Sequence, residues 1–243
     1  MLWPNGVSEG VFERRHKRFF ADFTLADNDE LQVAHVANTG SLKSVLLPPQ
    51  PCLVSKATNP ERKLQWTLEA LGAADGSWVG VNTAWPNALA AEAHAQKWVL
   101  HWREFDVCER EYAISKATRL DLRLVQTATG KQHFVEVKSV TLKVGEQAQF
   151  PDAKTERGQK HLVELMKLQE QGHTAEILFV VQRSDVQELA PAVTIDPVYA
   201  ELLEKAHHLG VRVSARIVEI GRQGLQWRAA PLPVRIGGGQ VIE

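Results

Sequence analysis

The chain has 243 residues and a formal net charge of −1, so it can bury one large core or two modest ones, and any hold on nucleic acid must come from a local basic patch. Its 44% hydrophobic and 23% charged residues are those of a soluble globular protein. No apolar run is long enough to span a bilayer, the start Met1-Leu2-Trp3-Pro4-Asn5-Gly6 lacks the regions of a signal peptide, and Cys52 and Cys108 fit no zinc spacing. These features predict a protein of the reducing cytoplasm with no membrane partner.

In chain order, the first feature is a cationic cluster, Arg14, Arg15, Lys17 and Arg18, flanked by Phe12, Phe19 and Phe20. Such cations neutralise phosphates and such rings stack on bases, although a solvated strand with core aromatics has the same pattern. Alternating runs then break at Asp27-Asn28-Asp29, at Asn38-Thr39-Gly40-Ser41 and at Pro48-Pro49-Gln50-Pro51, which predicts the short strands of a small barrel or sandwich. The turn Asn38, Thr39, Gly40, Ser41, followed by Lys43, offers backbone N–H groups to an anion, or is simply a turn. A strand over 62–68 starts with Arg62 and Lys63, and Trp78 to Thr83 closes this all-β region. The domain boundary is predicted here, giving 1–84 and 85–243.

Pro86-Asn87 opens a helix with Leu89, Ala93 and Trp98 on its apolar side and Glu92 near its middle. The run 105–115 is rich in β-formers. Next come Arg119-Leu-Asp-Leu-Arg-Leu124 and Phe134-Val-Glu-Val-Lys-Ser-Val-Thr-Leu142, both alternating with period two. Pairing these strands across a short loop places Asp121 opposite Glu136 and Arg119 opposite Lys138. Facing carboxylates, with Cβ atoms about 4.5–5.5 Å apart, repel unless a cation lies between them. Mg²⁺ takes one or two carboxylates together with water and phosphate oxygen, and Lys138 shares that face. The same alternation also occurs on solvated sheet faces.

A polar loop, 143–150, leads to a helix with Thr155 as N-cap and Gly172 as its stop. Arg157, Lys160 and His161 are predicted to share a face of its first turns. Cations there oppose the helix dipole, and a docked phosphate gives them a reason; simple solvation is the alternative. Ile177 to Gln182 reads as a strand buried on both faces, Asp196-Pro197 caps a helix to Leu209, and 211–218 alternates like a last strand. The tail from Gly221 carries little signal. The second half is thus an α/β arrangement.

Asn38-Thr-Gly-Ser41, Val79-Gly-Val-Asn-Thr83, Pro86-Asn87, Glu136 to Leu142, Phe150-Pro-Asp-Ala153, Thr155 to Leu162 and Pro231-Leu-Pro-Val234 together resemble the sugar fermentation stimulation protein A family over nearly the whole chain. The resemblance implies a fold that is α+β overall: an N-terminal OB-fold-like β-barrel followed by a PD-(D/E)xK nuclease-like mixed-sheet domain. It also implies DNA binding without sequence specificity, hence association with the nucleoid, and a link to regulation of sugar use, maltose in particular. By this resemblance Asp121, Glu136 and Lys138 match the nuclease triad, Glu92 matches an added helix acid, and Arg157, Gln159 and Lys160 match the helix that approaches the DNA backbone. Ala117-Thr118 and Leu122 depart from the family pattern without removing a ligand.

Two functions follow as expectations. In one, Asp121 and Glu136, helped by Glu92, hold Mg²⁺ or Mn²⁺, and Lys138 positions the attacking water on a DNA phosphodiester. In the other, the nuclease fold serves only to grip DNA. Arg14, Arg15, Lys17, Arg18, Lys43, Arg62, Lys63, Arg119, Arg157, Gln159, Lys160 and His161 form the expected DNA surface, which a homodimer would extend.

Overall fold

Alternating buried and exposed residues build the first domain. A computed structural model of the protein describes residues 1–27, 30–116 and 118–242; the expected turn at Asn28-Asp29 and the position of Ala117 lie outside them. Strands β1 (Ser8–His16), β2 (Phe20–Leu25), β3 (Leu31–His35), β4 (Gln50–Lys56) and β5 (Trp66–Gly72) run in the order β3-β2-β1-β4-β5, with β6 (Trp78–Gly80) beyond β5. A parallel pairing of β3 with β5, Ala34 opposite Trp66, closes the sheet into a five-stranded barrel of the oligonucleotide-binding type. Phe12, Phe23, Val54, Leu68 and Leu71 fill it.

The predicted strand over 62–68 starts late. Asn59 turns the chain by accepting from the backbone N–H groups of Glu61 and Arg62, so Arg62 and Lys63 sit in a loop and β5 begins at Trp66. Lys17 and Arg18 form the tip of the β1–β2 hairpin with φ of 46° and 65°.

The second domain opens with α1 (Trp85–Ala95), whose Leu89, Ala90 and Ala93 are buried. Trp98 lies beyond the helix end and is exposed. Strands β7 (Val107–Ala113), β8 (Arg119–Gln126), β9 (Lys131–Val140), β10 (Leu142–Val144) and β11 (Gln147–Phe150) lead to α2 (Glu156–Glu170). After these come β12 (Thr174–Val181), β13 (Glu188–Pro191), α3 (Pro197–His208), β14 (Arg212–Gly221), β15 (Gly224–Pro231), β16 (Val234–Arg235) and β17 (Val241–Ile242).

The main sheet runs β15-β14-β12-β9-β8-β7, with β9, β12 and β14 parallel at its centre and antiparallel strands at both edges. Helices α2 and α3 cover one face through Leu162, Leu165 and Leu203, and α1 covers the other through Leu89 and Ala93. Strand β12 is buried from Ala175 to Val181, as a central parallel strand must be. Thr155 and Asp196 cap α2 and α3, accepting from Gly158 N–H and Tyr199 N–H at 3.0 Å each.

Two stretches differ from expectation. The polar run 143–150 is the hairpin β10–β11, because Ala148 is buried and β13 pairs alongside in parallel. The tail contains the eight-residue strand β15, whose Leu225 and Trp227 complete the core beneath α1. That core also takes in the first residues: Leu2 bridges to Gly224 and the Trp3 indole N–H donates to Gly221 O at 2.8 Å. Buried Glu69 of β5 ties barrel to helix, accepting from Ser55, Asn82 and the Trp85 indole.

Candidate functional site

The β8–β9 ladder runs from Gln126 opposite Lys131 to Leu122 opposite Val135, one step short of Asp121 and Glu136. There the strands splay. The next amide of β9, Val137 N–H, donates not to the β8 backbone but to Asp121 Oδ2 at 2.7 Å. Asn87 in the first turn of α1 donates to Asp121 Oδ1 at 2.6 Å. The carboxylate is therefore fixed between a strand and a helix, and sits beside the wedge that the splay opens.

Across the wedge, Glu136 is 3% exposed, and its Oε1 accepts from Lys138 Nζ at 2.6 Å and from His161 Nδ1 of α2. Its Oε2 is buried without a hydrogen-bond partner among the described residues, and so is the hydroxyl of Tyr199 on α3. Burial and the charge of Glu136 push the Asp121 carboxyl up to about 7. Burial alone would raise Glu136 as well, but the Lys138 charge and the His161 hydrogen bond outweigh it and hold that carboxyl below its usual range. The pair thus carries one negative charge at mildly acid pH and gains a second as the pH rises through about 7.

Glu92 stands apart. Its ion partner is the Met1 amino group at 3.5 Å, and the α1 side chain that reaches the carboxylates is Asn87.

The turn at 38–42 does bind an anion, but an internal one. Asp152 Oδ2 accepts from the N–H groups of Ser41 and Leu42 at 2.7 and 3.4 Å, and a Cβ on Gly40 would collide with it. Arg15 is used in the same lock, donating to Asn38 O at 2.7 Å and Gly40 O at 2.9 Å. Thr39 is exposed at its rim, and Lys43 just beyond.

Other predicted contacts are also engaged within the fold. Arg62 donates to Thr67 Oγ1 at 2.9 Å, Arg119 to Glu111 O at 3.2 Å, and Gln159 to both oxygens of Asp196. His161 does not share an outer face with Arg157 and Lys160: it is buried on Glu136 while they stay exposed. Arg14 pairs with Asp22 at 2.6 Å, yet 71% of its side chain is open to solvent. Lys17 and Lys63 are exposed as well.

A cleft of about 500 Å³ lies between the domains. Arg18, the 38–40 turn and Thr83 line it on the barrel side, and Ser139 to Leu142 with Phe150 to Thr155 on the other. Ser139, next to Lys138 on β9, is among the lining residues; Asp121, Glu136 and Lys138 themselves are not. No helix among the described residues is long and apolar enough to cross a membrane.

Residues 14–81 match the family model described as SfsA N-terminal OB domain, and residues 84–224 match Sugar fermentation stimulation protein RE domain. The chain belongs to the sugar fermentation stimulation protein family. A family member from Bdellovibrio bacteriovorus, described as Sugar fermentation stimulation protein homolog, is 47% identical over 97% of this chain and 100% of its own length. One from Geotalea uraniireducens is 43% identical over 93% of this chain and 96% of its own. The SfsA of Pyrococcus furiosus, whose structure was solved in complex with Ca²⁺, superposes with a TM-score of 0.86 at 26% identity, covering 97% of this chain and 98% of that one. Against the sequence expectations, the family and the OB-like barrel plus mixed-sheet fold hold.

Proposed function

We propose that this family member grips DNA in the cleft between its domains and cleaves phosphodiesters there with a hard divalent cation, Mg²⁺ or Mn²⁺, held by Asp121 and Glu136. The observation that carries the reading is the buried, unpartnered Glu136 Oε2 beside an Asp121 whose carboxyl is pushed up by its neighbour's charge. A buried carboxylate oxygen with no partner, crowded by a second carboxylate, fits a cation that prefers oxygen ligands. The Ca²⁺ in the Pyrococcus furiosus relative is in keeping with this donor chemistry.

When bound, the cation supplies charge neutralisation at the phosphate and polarises it. The chain's own residues do the rest. Asn87 and the Val137 N–H hold Asp121 in one orientation. Lys138, anchored on Glu136, places a positive charge where negative charge develops on the phosphate and where attacking water must be oriented. His161 fixes the Glu136 carboxylate from the helix side. Arg14, Lys17, Arg18, Lys43, Lys63, Arg157 and Lys160 are exposed cations available for phosphate contacts, with Arg18 lining the cleft itself, which suits recognition of the backbone rather than the bases. A location in the cytoplasm on the nucleoid, and a regulatory link to sugar use, accompany this reading.

A second reading, in which DNA is held but not cut, draws on one contact: His161 and Lys138 already occupy Glu136 Oε1, leaving one oxygen of that carboxylate for a cation.

The test of DNA binding is the affinity for unrelated duplex sequences measured against salt in Ca²⁺. The expected result is near-equal affinity for all sequences, falling steeply with salt and weakened by Arg18→Ala and Lys160→Ala. Affinity that ignores salt would refute it.

A further inference from the structure

Away from the carboxylate wedge, a second cluster of ligand-type side chains converges on the opposite face of the main sheet. His101 comes from a 3₁₀ turn over Leu100–Trp102, His133 from the start of β9, and Glu176 from β12. Their ligand atoms lie within 4.8 Å of one another. Glu176 and His133 are 1% and 4% exposed, while His101 is half-buried. His133 and Glu136 are three residues apart on β9, roughly 10 Å along the strand, and side chains at odd spacing point to opposite faces. The two sites are therefore separate.

One oxygen of Glu176 is the point on which the cluster converges. Glu176 Oε2 lies 2.8 Å from His101 Nε2, 3.0 Å from His133 Nε2 and 2.9 Å from the Trp102 indole N–H, while Ser214 Oγ serves Oε1. One carboxylate oxygen with two in-plane lone pairs thus faces three partners. On the far side of His133, Nδ1 lies 2.9 Å from Thr174 Oγ1, which is also 3.2 Å from Gln132 O.

We propose that His101 Nε2, His133 Nε2 and Glu176 Oε2 bind a first-row transition-metal cation of the Zn²⁺ class. Such a cation would join the two ring nitrogens and the carboxylate oxygen by direct bonds, and Thr174, against His133 Nδ1, is placed as the outer-shell anchor that metal-bound histidines use. Two histidines and one glutamate with an open fourth position are an established zinc donor set. At metal–ligand distances of about 2.0–2.2 Å the ligands sit roughly 3.3–3.6 Å apart in a tetrahedron, somewhat wider than the 2.8 and 3.0 Å from Glu176 Oε2 to the two ring nitrogens and within the 4.8 Å that bounds the three atoms. The two imidazoles line a cavity of about 440 Å³, bordered by Phe105, Lys131 and Arg212, through which the cation enters and in which the fourth position opens. The nitrogen-rich set separates this site from the all-oxygen wedge, which suits harder cations.

The test uses the full-length, untagged chain, stripped with chelator and titrated with Co²⁺ and then Zn²⁺ at neutral pH. The expected result is one equivalent of Co²⁺ giving the intense visible absorption of a low-coordinate site, displaced by Zn²⁺ and not by Mg²⁺. Asp121→Ala leaves that spectrum unchanged. His101→Ala, at the partly exposed ligand, abolishes it, and Thr174→Val weakens binding about 10–100-fold. His133→Ala leaves Glu176 buried without that partner and can unfold, so the other two variants decide, with circular dichroism confirming that they fold. An absorption no stronger than that of aqueous Co²⁺, a spectrum that survives His101→Ala, or one lost with Asp121→Ala overturns the proposal.

Discussion

Asp121 accepts the backbone N–H of Val137 at 2.7 Å, taking the place that a β8 carbonyl would fill if the hairpin ladder continued. A carboxylate thereby ends a β-ladder and sits buried beside a second carboxylate. The chemistry of the site follows from that placement.

The first consequence is a pH dependence. The folded-state carboxyl of Asp121 titrates at about 7, well above the unfolded value of about 4. A group raised in this way contributes stability that is fully present below about pH 4 and is lost as pH rises through about 7. Without divalent cations, the wild-type chain should lose stability relative to Asp121→Asn across that window, as urea midpoints measured at several pH values will show. Protection by added Mg²⁺ should grow over the same window, because the cation needs the ionised carboxylate. A parallel pair of profiles contradicts the assignment.

Asn87→Ala removes the 2.6 Å hydrogen bond to Asp121 Oδ1. Losing a bond to a charged acceptor costs about 1.5–3 kcal/mol where the acceptor is ionised, so the destabilisation should be larger at alkaline than at acid pH. Thermal melts at the two extremes check this.

The buried Tyr199 hydroxyl has no partner among the described residues. Tyr199→Phe should therefore be neutral or stabilising by up to about 1–2 kcal/mol, unlike most core changes. A loss of more than that reveals a bonded hydroxyl.

Asp152 holds the 38–42 turn from the other domain. Asp152→Ala leaves two amides without their carboxylate and should cost roughly 1–3 kcal/mol, measured as a lower Tm with DNA-free protein. Asp152→Asn should recover part of it.

The hairpin was legible because period-two alternation fixes both faces and register, and Leu122 opposite Val135 is the predicted pairing. The caps at Thr155 and Asp196 were legible from residue type alone. The ion partner of Glu92 was not, since helical spacing places the acid on α1 but says nothing of the Met1 amino group beside it. The same limit hid Asp152 in the Ser41 turn, 111 residues away, and the His101–Glu176 contact, 75 residues apart. Arg15 read as a free cation because sequence shows charge and not the carbonyls of Asn38 and Gly40 that consume it. Strand β15 was missed because its glycine and proline ends mask the buried Leu225 and Trp227.

The central claim is tested most directly by incubating supercoiled, linear and branched DNA with purified protein in Mg²⁺ or Mn²⁺, beside Asp121→Ala and Lys138→Ala, with binding followed in the same samples. The account predicts that wild type cuts at least one of these substrates while both variants bind it and leave it whole. Binding without cutting by all three proteins, in either metal, contradicts it.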